Sequence, residues 1–136
     1  MTNAKHLRGS AHWIKFPRVI CNQWVHWDTS ADGREVPYVL MGDAAHTAHF
    51  SIGSGTKLAM EDSIALVAAF REHGLGDVPR VLAAYEGGRR LDVAKLQRAA
   101  QVSRRWFEQS ARYRQQEPVA LAFNLMSRSK RITYDN

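Results

Sequence analysis

Residues 38–62 read YVLMGDAAHTAHFSIGSGTKLAMED, and the order of residue types in this stretch decides the fold. A short apolar run stops at Gly42-Asp43, a loop of small residues with two close glycines follows, and then a helical pattern begins. Open α/β folds hold ligands at such a strand-to-helix edge, because a helix N-terminus offers unpaired N–H groups and the positive end of its dipole. A phosphate-binding P-loop is excluded: its second glycine directly precedes the lysine and a Ser or Thr follows, whereas Thr56 precedes Lys57 and Leu58 follows it. A metal site on His46 and His49 lacks a carboxylate–histidine framework of known spacing, so no metal is expected. Two readings remain, a cofactor loop and a bare tight turn. On the first, Gly42 and Asp43 end the strand, and Asp43 accepts hydrogen bonds from sugar or polyol hydroxyls. The helix N-terminus near Gly55 then faces a carbonyl or an anion. These residues alone choose no cofactor.

At 136 residues with 45% hydrophobic composition, the chain can build one ordinary core. The single cysteine, Cys21, excludes an internal disulfide framework. The opening MTNAKHLRGSAHW has no apolar signal segment, and a reducing, cytoplasmic setting is expected. No stretch approaches the roughly 18 consecutive apolar residues of a membrane span. The formal charge of +6 is concentrated in residues 87–114, where eight Lys or Arg face two acids. Confined to one helical segment, that excess fits a solvated face, an anionic ligand or an acidic protein surface, and no nucleic-acid binding is expected.

Residues 19–27, VICNQWVHW, are β-branched and aromatic and predict a strand, followed by the loop residues DTSADGRE. Residues 36–41 are short and almost wholly apolar, as in a strand buried on both faces. A largely buried helix is predicted over 56–73, closed by Gly74. A second helix starts with Asp77 as N-cap and Pro79 in its first turn, and Gly87-Gly88 predicts a kink or break. Pro118 is read as the end of the helical region, residues 120–126 as a short further turn, and SRSKRITYDN as an extended tail.

The stretch resembles the second FAD-binding motif of the single-component FAD-dependent aromatic monooxygenases. The match rests on Gly42-Asp43-Ala44-Ala45-His46, the pair Gly53 and Gly55, and Asp62. Phe50 and Lys57 stand where the family usually has proline and asparagine. With RITYDN near the end, these departures resemble the subgroup that hydroxylates aromatic CoA thioesters such as 2-aminobenzoyl-CoA and salicylyl-CoA.

The resemblance implies FAD as cofactor, NAD(P)H as reductant and an aromatic, possibly acyl-CoA, substrate. It assigns the ribityl chain to Asp43 and the pyrimidine end of the flavin to the backbone of residues 53–57. His46 and His49 become candidates for substrate contact. The implied fold is an α/β fragment: the last strand of an FAD-binding Rossmann-like module followed by a mostly helical C-terminal region. Residues 1–35 would be lead-in and a remnant of a substrate-domain sheet, and residues 36–136 the C-terminal part of the FAD domain. No G-x-G-x-x-G occurs in the sequence, so the chain reads as the C-terminal piece of such an enzyme, either a truncated product or a fragment of a split enzyme completed by a separate N-terminal half. The competing expectation is a non-enzymatic interaction domain or remnant that keeps the loop by descent.

Overall fold

The computed structural model describes residues 16–130; the predicted lead-in before residue 16 and the end of the tail lie outside them. Two antiparallel strands, β1 (Val25–Thr29) and β2 (Glu35–Val39), pair in register from Val25 opposite Val39 to Thr29 opposite Glu35. Helices α1 (Gly55–His73), α2 (Val78–Glu108) and α3 (Pro118–Ser127) follow. Among the described residues this is an α/β arrangement, and its core joins Trp24, Ala45, Leu58, Ala69, Val81, Tyr85 and Val93.

The first strand begins later than expected because the segment before it has other partners. The Trp24 indole donates to the carbonyl of Cys21, the Cys21 N–H to the carbonyl of Ala45, and Ile20 bridges His46. Residues 19–22 therefore brace the glycine loop. The second strand is not buried on both faces: Val36 is 37% and Tyr38 58% exposed, and Pro37 suits an edge strand because it has no N–H to donate.

Helix α1 also departs from expectation. One face enters the core through Leu58, Asp62 and Ala69, while Met60, Ile64 and Val67 on the other face are more than half exposed. Helix α2 starts as predicted, with the Asp77 side chain accepting from the Arg80 N–H. It then runs unbroken through Gly87-Gly88. Both glycines face solvent, and the buried residues flanking them are anchored: the Tyr85 hydroxyl donates to the Leu40 carbonyl and Arg89 pairs with Asp62. Each glycine opposes the helix by about 1 kcal/mol relative to alanine, less than these two anchors supply. Pro118 opens α3 instead of ending the helical region, because proline at the first helical position has no N–H to lose.

Candidate functional site

The site is built around the turn that follows β2. Gly42 adopts φ +56°, and a Cβ there would lie 3.1 Å from the Ala59 Cβ on α1, so both conformation and close helix approach require glycine. The Gly42 carbonyl accepts from the N–H groups of Ala45 and His46, closing the turn. Its own N–H donates to Asp62 Oδ2 at 2.9 Å.

Asp62 is fully buried and receives two further donors: His46 Nε2 lies 2.7 Å from Oδ2, and Arg89 Nε lies 2.9 Å from Oδ1. Arg89 also reaches Glu61 at 3.2 Å. One carboxylate thus ties the turn, α1 and α2 together. The Lys57 ammonium, bonded to Glu61 and helped by Arg89, holds the Glu61 carboxyl below its ordinary range. Burial, reinforced by the Asp62 charge, raises the Tyr85 phenol well above its ordinary value.

The loop has two more clamps. Gln97 Nε2 donates to the carbonyls of Val19 and Thr47, and Arg128 donates to the Ser103 hydroxyl and the Ser51 carbonyl. Helix α2 and the residue that caps α3 therefore hold the loop. Its exit bends at Gly53, φ +61°, which delivers the chain to the start of α1.

Asp43 projects from this framework. It is exposed, and its carboxylate makes no hydrogen bond or ion pair among the described residues. It lines a cleft of about 560 Å³ with Ala48, Phe50, Gly53, Ser54, Gly55 and Thr56. A neighbouring cleft of about 270 Å³ shares Asp43, Ala48 and Phe50 and adds His49, Gln101 and Arg104. At the start of α1 the Ser54 hydroxyl donates to the Ile52 carbonyl and does not cap the helix. The first bond into the helix is from Leu58 N–H to the Ser54 carbonyl. The amides of Gly55, Thr56 and Lys57 thus have no partner among the described residues.

The structure brings Asp43 and the backbone of residues 53–56 to one cleft. Lys57 contributes its N–H at the helix start, while its side chain turns to Glu61. His49 stands at the rim of the second cleft, stacked on Phe50 at 4.3 Å, with Nδ1 accepting from the Ser51 N–H. His46 is only 2% exposed and packs on Trp24 and Asp62, lining neither cleft that contains Asp43. The ring expected to contact substrate is thus buried and paired with Asp62.

Sequence reasoning missed the anchoring roles of Asp62, Arg89, Gln97 and Arg128. A signal for Arg89 exists, since it falls on the inward face between Tyr85 and Val93 at four-residue spacing.

No family model matches the chain. It is 42% identical over 112 residues to a salicyloyl-CoA 5-hydroxylase from Streptomyces sp, covering 79% of this chain and 22% of that protein. It is 41% identical over 105 residues to a 3-hydroxy-4-methyl-anthranilyl-[aryl-carrier protein] 5-monooxygenase from Streptosporangium sibiricum, covering 76% and 26%. An FAD-dependent urate hydroxylase from Mycolicibacterium vanbaalenii is 39% identical over 82 residues, covering 52% and 20%. The chain thus spans about a quarter or less of the length of these curated relatives.

Proposed function

We propose, from the kinship of this chain with the FAD-dependent aromatic monooxygenases, that its cleft forms the ribityl- and pyrimidine-contacting part of a flavin site. The observation that carries the reading is the pairing, in one cleft, of an unpartnered carboxylate with an uncapped helix start. Asp43 would accept hydroxyl hydrogens of the ribityl chain. The amides of Gly55, Thr56 and Lys57 would donate to the pyrimidine carbonyls, aided by the positive end of α1. The residues fit the group: a Cβ at Gly53 or Gly55 would meet nothing within 4 Å among the described residues beyond its chain neighbours, so a flat ring can approach the backbone.

When bound, FAD reduced by NAD(P)H supplies the oxygen chemistry that hydroxylates an aromatic ring. This chain would orient the ring system, and the stacked Phe50 and His49 line the adjoining cleft. The substrate we infer is an aromatic acyl group carried on CoA or on a carrier protein, in keeping with the names of two relatives. His49 stands at the rim where such a substrate would enter, and His46 supports the turn from behind.

In this reading β2 and α1 are the last strand and following helix of a Rossmann-like FAD module, with α2 and α3 its helical extension. Residues 1–35 would belong with a substrate-domain sheet. The pyrophosphate of FAD is then held by a G-x-G-x-x-G segment outside these residues, on the same polypeptide or on a separate one. Riboflavin carries the ribityl and pyrimidine groups without the pyrophosphate, so the 136-residue chain should bind it about as well as FAD. Fluorescence titration of both flavins checks this. Asp43→Ala should weaken each by roughly tenfold or more, the loss of one charge-assisted hydrogen bond. An interaction domain that merely retains the loop would bind neither flavin and would be indifferent to Asp43→Ala.

A further inference from the structure

Resting on the flavin reading, we infer that Asp62 is a positioning residue: it fixes the His46 tautomer and locks the Gly42 turn, and so aims Asp43 at the ligand. The partners of Asp62 dictate where the protons lie. The Gly42 N–H, a backbone group, can only donate, and the Arg89 guanidinium likewise has only hydrogens to offer. The Asp62 carboxylate is therefore the acceptor on both oxygens, and His46 Nε2, at 2.7 Å, must be the nitrogen that carries the proton.

His46 Nδ1 is buried and has no hydrogen-bond partner among the described residues, which agrees with an unprotonated nitrogen there. The backbone N–H of His46 in turn donates to the Gly42 carbonyl, so the turn is gripped at Gly42 through both its N–H and its C=O. Asp43 is the next residue. Its carboxylate is unsupported by any side chain among the described residues, so its direction is inherited from Gly42. Arg89 extends the same lock to α2, making the aim of Asp43 depend on the packing of α2 against α1.

Nitrogen-15 NMR of the 136-residue chain tests this in the wild type. The expected result is a His46 ring protonated at Nε2 and not at Nδ1, with the Gly42 amide exchanging at least tenfold more slowly than the Asp43 amide. A His46 ring protonated at Nδ1 alone, or a Gly42 amide exchanging as fast as that of Asp43, would overturn the inference. The double variant Asp62→Ala/Arg89→Met removes both charges, leaving neither buried alone. There the Gly42 amide should exchange at least tenfold faster while amides of residues 66–70 in α1 keep their protection. The riboflavin affinity should fall about as far as in Asp43→Ala. Retained Gly42 protection or retained riboflavin affinity in a folded double variant would also overturn it. If the wild-type tautomer and exchange are as expected but riboflavin perturbs no resonance, the flavin reading fails and the Asp62 lock stands.

Discussion

Arg89, 8% exposed, gives its guanidinium hydrogens to both Asp62 and Glu61. Arg89→Met should destabilise the chain by roughly 3–5 kcal/mol, since it strands the Asp62 carboxylate without its counter-charge. Urea denaturation followed by tryptophan fluorescence measures this. Tyr85 gives a pH dependence: its folded-state pKa lies above the ordinary 10.0, through burial first and the Asp62 charge second. Its contribution is fully present below pH 10 and is lost as pH rises from there toward the folded value, because the unfolded chain ionises first. Tyr85→Phe should flatten that alkaline decline while removing about 1 kcal/mol at neutral pH with the bond to Leu40. At this scale the sequence announced Gly42 and Asp43, whose types are dictated by a tight turn and an exposed acceptor. It did not announce what Asp62 does, because a buried carboxylate looks like any surface acid until the residues twenty positions before and twenty-seven after it come into place.

Among the elements, α2 shows how tertiary anchors override local preference. A Cβ added at Gly87 or Gly88 would meet nothing within 4 Å, so alanine at either position fits and should stabilise the helix by about 0.5–1 kcal/mol. Thermal unfolding of Gly87→Ala and Gly88→Ala checks this; a lower melting temperature would mean that the glycines serve a bend or a further contact. Both long helices were legible from caps and apolar spacing, since Asp77, Pro79 and Gly74 act within one turn of chain. The burial of β2 was not legible. Whether an apolar strand is covered depends on neighbours distant in sequence, and here only β1 pairs with it among the described residues. The exposed face of α1 at Met60, Ile64 and Val67 has the same origin: the apolar pattern was visible, its covering was not.

For the molecule as a whole, half of the cations in residues 87–114 are occupied internally. Arg89, Arg90, Lys95 and Arg104 pair with Glu61 and Asp62, Glu86, Asp92 and Glu108 respectively. The chain should therefore show no salt-dependent shift of random duplex DNA at micromolar concentration, a gel experiment that Arg104 and Arg105 substitutions would sharpen. The family resemblance was legible because the loop motif lies within 21 consecutive residues, where spacing alone aligns turn, glycines and helix. The clamps from Gln97 and Arg128 were not, since each spans fifty or more residues. The proposed flavin site is best tested by a riboflavin titration of the isotope-labelled chain, followed at backbone amides. The amides of Gly55, Thr56 and Lys57 should shift together with that of Asp43, saturably, and Asp43→Ala should weaken the response roughly tenfold. Shifts confined to other surfaces, or a response equal in wild type and Asp43→Ala, would refute the flavin site.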